Sequence, residues 1–232
     1  MTIKGIIFDK DGTLFDFQQS WGESTYDFLL KLSENDDQKF HDLAKALKFD
    51  LNLKIFKKDS SFIAGTVAQT IQLLLPLLPG KSAEEIWAKH LDHYSQAVQF
   101  PVKNLHKTLL SLKSSKYSLG VATNDLEKPT LYQLNKTNIF QHFDCVVCAD
   151  SGFGTKPDPT QLVQVSRSLN LNFSELIMVG DSVEDLIAAK RTSIQSIGVL
   201  TGVASKTDLS NHANIVLNDI SELVPWLKAY NN

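Results

Sequence analysis

Four short polar motifs follow hydrophobic runs in a fixed order along the chain, and this order constrains the fold more than any other feature. Three of the runs end at Phe8, Ala122 and Val179, and each is short and bounded by polar residues. Such runs are typical of strands that are buried on both faces of a parallel sheet. Because the carboxyl ends of parallel strands open onto one crevice, we expect the motifs to meet there. The motifs are Asp9-Lys10-Asp11-Gly12-Thr13, Thr123-Asn124, Lys156-Pro157 and Gly180-Asp181-Ser182-Val183-Glu184-Asp185.

The pattern of helices and strands divides the chain into two kinds of sequence. From about residue 102, helical and strand patterns alternate to the end, which predicts an α/β fold with a doubly wound parallel sheet. Residues 18–98 interrupt this alternation and are almost wholly helical in pattern. One predicted helix face runs from Ile63 to Leu78, and a second helix begins after Ser82, with Glu85 in capping-box position, and continues to Val98. We therefore predict a catalytic core at 1–17 and 99–232 with a helical cap inserted at 18–98.

Composition narrows the class of partner. The chain has 232 residues, 43% of them hydrophobic, and a net charge of -3. This balance predicts a folded protein without the basic field that nucleic acid or an anionic membrane would attract. The N-terminus runs into a predicted strand without a signal-peptide pattern, and no run of about 18 apolar residues is present. These features predict a cytoplasmic protein whose partner is a small molecule. They do not predict the oligomeric state.

The first motif places two carboxylates one residue apart beyond a buried strand. Turn formation alone explains Asp11-Gly12, since Asp-Gly is a common turn dipeptide, but it does not explain Asp9. A carboxylate at the end of a buried strand costs stability unless a cation compensates it. Gly12 permits a positive φ, so the amides of Lys10, Asp11 and Gly12 can converge on a phosphate. One carboxylate can then attack phosphorus while its neighbour transfers protons.

The second and third motifs supply donors for phosphoryl oxygens. Thr123 and Asn124 offer a hydroxyl and an amide, although the same residues are equally common as helix caps. Lys156 follows a glycine-containing loop, Gly152-Phe153-Gly154-Thr155. A lone loop lysine is usually a solvated charge, but its position beyond a third strand favours a role in the site.

The fourth motif adds two more carboxylates. Asp181 ends a strand, whereas Asp185 falls near the start of a helix, where the helix dipole alone would favour it. Mg²⁺ prefers oxygen ligands and keeps several waters, so Asp9, Asp181 and a backbone carbonyl would suffice to bind it. The acidic residues therefore predict Mg²⁺ as the cofactor.

Cysteine and histidine pairs predict no further chemistry. Cys145 and Cys148 lie three apart on a predicted strand and are interpreted as buried, reduced thiols. His90 and His93 have a spacing that zinc ligands can use, but no third ligand accompanies them. We interpret them as surface histidines.

With all four motifs in order around a helical insertion, the whole chain resembles the haloacid dehalogenase superfamily. The stretch Ile7-Phe8-Asp9-Lys10-Asp11-Gly12-Thr13-Leu14 looks like the phosphatase form of the first motif. The resemblance implies a Rossmann-like core with a helical cap, and Mg²⁺-dependent hydrolysis of a small phosphomonoester through an aspartyl-phosphate. Relatives with this type of cap are often similar to phosphoglycolate phosphatase, which makes phosphoglycolate a candidate substrate.

The resemblance also assigns roles. It implies that Asp9 is the nucleophile, that Asp11 is the acid/base, and that Asp185 lies at or just behind the metal. Lys10 stands where many relatives carry an apolar residue, and no mechanistic role follows from it. The predicted metal-binding set is Asp9, Asp11, Asp181 and Asp185, and the predicted substrate-binding set is Lys10, Gly12, Thr123, Asn124 and Lys156.

Two alternatives stay open at this point. A phosphosugar mutase of the same superfamily keeps Asp11, whereas the dehalogenase branch lacks it. A non-enzymatic phosphoacceptor module uses a similar set of residues but is about half as long and has no cap. Within the cap, the polar loop Phe56-Lys57-Lys58-Asp59-Ser60-Ser61 is either a solvated turn or a specificity loop that binds a substrate carboxylate through Lys57 or Lys58.

Overall fold

A six-stranded parallel sheet forms the centre of the molecule. The computed structural model describes residues 2–63 and 65–231. The strands of the sheet are β1 (Gly5–Phe8), β4 (Ser118–Ala122), β5 (Cys145–Val147), β6 (Leu176–Gly180), β7 (Gln195–Val199) and β8 (Ile215–Leu217). Their order across the sheet is β5-β4-β1-β6-β7-β8, and every neighbouring pair is parallel. The predicted doubly wound α/β fold is thus confirmed.

Helices cover both faces of this sheet. The helices of this part are α5 (Leu105–Ser114), α6 (Glu127–Lys136), α7 (Thr160–Leu169), α8 (Val183–Thr192), α9 (Lys206–Ser210) and α10 (Leu223–Tyr230). Alternate residues of β1 serve the two faces: Ile6 and Phe8 join the core under α5 and α10, whereas Ile7 joins the core under α7 and α8. This alternation is what a strand buried on both sides requires.

The connection between β1 and β4 forms its own layer. It contains α1 (Phe17–Ser33), α2 (Asp37–Ala46), the hairpin strands β2 (Phe49–Asp50) and β3 (Ile55–Phe56), α3 (Val67–Leu74) and α4 (Ala83–Tyr94). These elements pack around a hydrophobic cluster that is separate from the two clusters of the sheet. We call this layer the cap. Its boundaries at residues 18 and 98 stay a proposal.

Some local predictions are confirmed and others are wrong. Ser82 and Glu85 form the predicted capping box at the start of α4, with both reciprocal hydrogen bonds present. However, α4 ends at Tyr94, and Val98 lies outside it with 68% of its surface exposed. Ile63 also lies outside a helix, because a second capping box at Thr66 starts α3 only at Val67. The hairpin of β2 and β3 was not predicted, since its strands are only two residues long.

The strand order explains where a site can form. The chain passes from β1 to β4 and β5 on one side, and then crosses back to β6 on the other side. The carboxyl end of β1 is therefore the point at which the winding direction changes. Ligands bind at such points in doubly wound folds. The first, second and fourth motifs follow β1, β4 and β6, the three central neighbours.

Candidate active site

Six of the predicted site residues line one chamber at the carboxyl ends of the central strands. Asp9 and Asp11 follow β1, Thr123 and Asn124 follow β4, Lys156 lies in the loop between β5 and α7, and Asp181 follows β6. The chamber has a volume of about 70 Å³, room for only a few water-sized groups. The residues of the four motifs thus meet, although they are up to 176 positions apart in sequence, from Asp9 to Asp185.

Three carboxylates form a buried cluster in the floor of the chamber. Asp9, Asp181 and Asp185 each offer an oxygen within 4.8 Å of the others, and all three residues are buried. Burial raises the pKa of Asp9 to about 7, although Lys156 opposes the shift. Burial also raises the pKa of Asp181, and the charges of Asp9 and Asp185 add to it. Removal from water and mutual repulsion both disfavour the ionised forms, so a bound divalent cation would stabilise this cluster.

Lys156 is the cation that the chain itself supplies to this cluster. Its Nζ lies 2.5 Å from Asp9 Oδ1 and 2.6 Å from Asp185 Oδ1, and it donates to the carbonyl of Ala122 at 2.7 Å. Burial works against its charge, but the two carboxylates outweigh burial and raise the pKa of Lys156 above its usual value. The lysine is therefore a charged, three-fold anchored group and not the solvated loop charge of the alternative interpretation.

The side chain of Asn124 fixes the backbone of Lys156. Its Nδ2 donates to the Lys156 carbonyl at 2.9 Å, and its Oδ1 accepts from the Lys156 amide at 2.8 Å. The side chain predicted to bind substrate is thus engaged with the backbone of the lysine loop. Thr123 keeps its hydroxyl at the chamber wall, where Oγ1 accepts from the amide of Asp125 at 3.1 Å. A hydroxyl that accepts in this way still has its own proton to donate.

Asp11 is set apart from the three clustered carboxylates. Its Oδ1 accepts from Trp21 Nε1 at 2.9 Å, and its Oδ2 lies 2.8 Å from Lys10 Nζ. Burial raises the pKa of Asp11, against the opposing charge of Lys10. Its carboxylate does not belong to the described metal cluster, so the geometry does not support the predicted metal role for its side chain. Its position suits proton transfer instead.

The side chain of Lys10 does not reach the substrate chamber. It is completely buried, and its Nζ contacts Asp11, Asp125 Oδ2 at 3.0 Å and Gln133 Oε1 at 2.5 Å. The ammonium also lies 5.3 Å from the centre of the Trp21 ring, within cation–π range. The side chain is not among the residues that line the chamber, so its position lends no support to the predicted substrate-binding role, which stays a prediction. Lys10 joins the first motif to α6 and to Asp125, the residue after the second motif.

Gly12 has the predicted positive φ, at 83°. Its amide, however, is used in a turn and not in the predicted phosphate nest. Its amide donates to the carbonyl of Phe15 at 2.7 Å and so closes the turn on itself. A side chain at this position would overlap the carboxylate of Asp181. Thr13 Oγ1 donates to Asp181 Oδ1 at 3.1 Å, and Thr201 Oγ1 donates to the Gly12 carbonyl at 2.6 Å. The glycine is needed because Asp181 packs against it.

Asp185 combines both of the roles that the sequence left open. It is the third residue of α8 and completes a capping box with Ser182, whose Oγ donates to Asp185 Oδ2 at 2.7 Å. Its other oxygen faces Lys156. The helix cap therefore fixes the carboxylate that completes the acidic cluster.

The cap forms the opposite wall of the chamber. Among the described residues it contributes Phe17, Trp21, Phe62, Ile63, Gly65, Thr66, Val67, Thr70 and His90. His90 is only 6% exposed, so the interpretation of His90 as a surface residue is wrong. His93 is half-buried and its Nε2 lies 2.7 Å from the Ser24 carbonyl. Neither histidine belongs to the metal cluster found among residues 2–63 and 65–231.

The predicted specificity loop lies beside the chamber. Lys58 and Ser61 line an adjoining cavity of about 690 Å³ that shares Lys156 and Asp181 with the chamber. Lys57 is absent from the described lining of both cavities. Ser60 is buried and its Oγ donates to the Leu47 carbonyl at 2.5 Å, which is a structural bond. Only part of the loop can therefore reach a bound molecule.

Several residues of the site were missed at the level of sequence. Asp125 directly follows the second motif, and Trp21 lies one helical turn after Phe17, so position alone could have suggested both. Gln133 gives no such signal, because it lies within α6 and meets Lys10 only through the fold. The two cysteines are free, and burial raises the pKa of Cys145 to about 11 and of Cys148 to about 12. None of the helices in the described part of the chain has the length and apolar character needed to cross a membrane.

The chain is similar in sequence and in structure to several known hydrolases and phosphatases. Residues 6–199 match the model of the family described as haloacid dehalogenase-like hydrolase. A phosphoglycolate phosphatase of Aquifex aeolicus is 28% identical over 199 residues, which cover 85% of this chain and 84% of that protein. The pyrophosphatase PpaX of Bacillus velezensis is 32% identical over a shorter region, 53% of this chain and 57% of that protein. In structure, a haloacid dehalogenase-like family hydrolase of Streptococcus pneumoniae superposes with a TM-score of 0.69 at 19% identity, covering 97% of this chain and 98% of that one.

Proposed function

Because this chain belongs to the haloacid dehalogenase-like hydrolase family and is a phosphatase, we propose that it hydrolyses a small phosphomonoester through an aspartyl-phosphate on Asp9. The observation that carries the proposal is the setting of Asp9 at the end of β1. Its carboxylate is buried, lines the chamber and pairs with Lys156 at 2.5 Å. A buried carboxylate with a fixed cation beside it, facing a small polar chamber, is suited to attack on phosphorus.

The reaction would proceed in two steps. In the first, an Asp9 oxygen forms a bond to phosphorus and the bond from phosphorus to the leaving oxygen breaks, while Asp11 donates its proton to that oxygen. In the second, Asp11 takes a proton from water, the water oxygen attacks phosphorus, and the aspartyl bond breaks to release inorganic phosphate. Lys156 and the Thr123 hydroxyl line the chamber and would be the protein groups that contact the phosphoryl oxygens.

The donor set fits a magnesium ion. Asp9, Asp181 and Asp185 offer three carboxylate oxygens within 4.8 Å, and hard oxygen donors are what Mg²⁺ prefers. When bound, Mg²⁺ would supply positive charge that offsets the negative charge of the phosphoryl group and of the nucleophile. The protein groups hold this cluster in place through Thr13, which donates to Asp181, and through the capping bonds of Ser182 to Asp185.

Asp11 suits the proton-transfer role because of its partners. Lys10 and Trp21 Nε1 fix its carboxylate in one orientation at the chamber wall. Burial raises its pKa, which favours the protonated form that a general acid needs. Since Trp21 belongs to the first helix of the cap, the acid is held jointly by the core and the cap.

A single substitution tests the proposal. Asp9→Asn should fold normally and lose turnover on p-nitrophenyl phosphate with Mg²⁺, because an amide is a far weaker nucleophile. Circular dichroism and the rate of phosphate release measure the two properties. Asp37→Asn is the matched control, because Asp37 lies on α2 with 92% of its side chain exposed. A folded Asp9→Asn protein with the activity of the control would refute the aspartyl-phosphate mechanism.

The alternatives differ in what the chamber must hold. A phosphosugar mutase binds a sugar with a second phosphate, and the described cap wall has no cationic side chain for it. Release of inorganic phosphate without transfer to a sugar hydroxyl would separate the two activities. Family membership as a hydrolase sets aside the non-enzymatic phosphoacceptor module. The cytoplasmic location stays a prediction from the sequence.

A further inference from the structure

The cap wall of the chamber carries no charge among the residues described. Its side chains are aromatic or aliphatic at five positions and neutral polar at three, the ninth residue being Gly65. His90 is neutral at working pH, because burial lowers its pKa to about 3. The apolar members are Phe17, Trp21, Phe62, Ile63 and Val67, and the polar members are Thr66, Thr70 and His90.

The core wall is dominated by acidic residues. Lys156 is the cation of this wall in the described structure, and it is already shared between Asp9 and Asp185. The acidic residues lining the chamber are Asp9, Asp11, Asp125, Asp181 and Glu184. A bound Mg²⁺ would be balanced by the acidic cluster and the phosphoryl group. A carboxylate on the leaving group would therefore be taken out of water beside other carboxylates, without a cation of its own.

The adjoining cavity does not reverse this balance. Lys58 and Lys156 line it, but so do four acidic residues. The side chain of Lys58 acts on Asp208, whose pKa is lowered mainly by Ser205 and to a smaller degree by this lysine. The acidic residues of this cavity are Asp59, Asp181, Glu184 and Asp208. An anionic tail that extended into this cavity would again meet more negative than positive charge.

We infer that the substrate is a phosphomonoester whose leaving group is uncharged and largely apolar, and not a phosphorylated carboxylate such as phosphoglycolate. This inference rests on the proposed function and specifies its substrate class. It goes against the names of the phosphoglycolate phosphatases that the chain resembles, because the charges of the two walls, and not overall similarity, decide which leaving group is tolerated.

An isosteric pair of esters tests the inference. Phosphoglycolate and the phosphate ester of glycolamide differ only in a carboxylate against a neutral amide. With Mg²⁺ present, kcat/KM for the amide ester should exceed that for phosphoglycolate by about tenfold or more, because only the carboxylate is taken out of water without a compensating cation. An equal or higher kcat/KM for phosphoglycolate would overturn the inference while leaving the proposed phosphatase intact. If p-nitrophenyl phosphate and both esters all fail to react, the proposed function itself falls, and the inference with it.

A variant that adds a positive charge tests the inference independently. Because the same two esters are compared in each variant, their intrinsic reactivities do not affect the comparison. Ile63 is half-buried and lines both cavities, so Ile63→Lys would add a cation at the cap wall, and Ile63→Gln is its neutral control. The ratio of kcat/KM for phosphoglycolate to that for the amide ester should rise about tenfold in Ile63→Lys and stay near wild type in Ile63→Gln. A ratio that is the same in both variants would mean that charge at the wall does not select the leaving group.

Discussion

The Lys10→Met substitution should destabilise the protein, because it removes a buried cation. Lys10 is completely buried, and its ammonium group contacts Asp11, Asp125 and Gln133 at 2.8, 3.0 and 2.5 Å. Methionine has a similar length and replaces the apolar stem, so the main loss is the cation. Removing one partner of a buried ion pair costs about 3–5 kcal/mol, because it leaves the other charge uncompensated. We expect a decrease of that size in the free energy of unfolding at pH 7.

The loss of unfolding free energy in Lys10→Met has an upper limit that depends on pH. A carboxyl group left without its cation can take up a proton, and at pH 7 this costs about 4 kcal/mol for a group with a pKa near 3.9. At pH 5.5 the same protonation costs only about 2 kcal/mol. In the variant the folded state holds this proton more tightly than the unfolded state, so stability rises as pH falls. The difference from wild type should therefore shrink by about 2 kcal/mol between pH 7 and pH 5.5. Lys10 itself does not titrate here, since its raised pKa keeps it charged throughout.

Urea denaturation followed by circular dichroism at the two pH values measures this effect. Lys107→Met is the control, because Lys107 is exposed on α5, and it should change stability by less than about 0.5 kcal/mol. The double variant Lys10→Met/Asp125→Asn should recover part of the loss, since it removes one of the orphaned charges. If Lys10→Met cost no more than Lys107→Met, or if its cost did not depend on pH, the buried network would not contribute as described.

Three further predictions concern the chemistry of the site. Asp11→Asn should lower the rate on propyl phosphate by about 100-fold or more but affect p-nitrophenyl phosphate less, because only the alkyl leaving group needs a proton; equal losses in steady-state assays on the two esters would argue against Asp11 as the general acid. Gly12→Ala should lose turnover and Mg²⁺ affinity, because the added Cβ would overlap the Asp181 carboxylate. Gly80→Ala is the control, because Gly80 has the same φ of 83° but lies in open space, and it should lose only stability. Similar kinetics in the two variants would contradict this prediction. Mg²⁺ at 100 times its dissociation constant should stabilise the protein by about 2.7 kcal/mol in thermal denaturation, and Asp181→Asn should reduce that gain. A wild-type melting temperature that does not change when Mg²⁺ is added would contradict binding of the ion at the acidic cluster.

The strands and the meeting of the motifs could be predicted because they depend on local patterns. A short apolar run between polar breakers identifies a buried strand, and parallel strands that share a sheet bring their carboxyl ends to one edge. Asp9 and Thr123 directly follow such runs, and Asp181 follows one after a single glycine, so their proximity required only the strand order. The predicted capping box of Ser82 was equally local, since it depends on residues three positions apart. The box of Ser182 and Asp185 has the same spacing but was not predicted.

The partners of each side chain could not be predicted, because they are set by three-dimensional packing. Asn124 had two plausible roles, a helix cap and a phosphoryl ligand, and it has a third, the clamp on the Lys156 backbone. The Gly12 amide had the right conformation for an anion but forms a turn bond instead. The burial of His90, in contrast, was predictable, because it lies four residues after Ile86 and four before Tyr94, on the buried face of α4.

Two buried lysines explain how neighbouring carboxylates in one motif acquire different tasks. Asp9 and Asp11 are separated by one residue, but Asp9 pairs with Lys156 from the distant loop, whereas Asp11 pairs with Lys10 and with Trp21 of the cap. The partner of Asp9 also contacts Asp185 and so belongs to the acidic cluster, which favours a charged nucleophile beside a metal. Of the partners of Asp11, Trp21 belongs to the cap and Lys10 to the core, so its carboxylate is held where the two layers meet. Burial raises the pKa of Asp11 against the charge of Lys10, so the lysine orients this carboxyl group while burial favours the protonated form that a general acid needs.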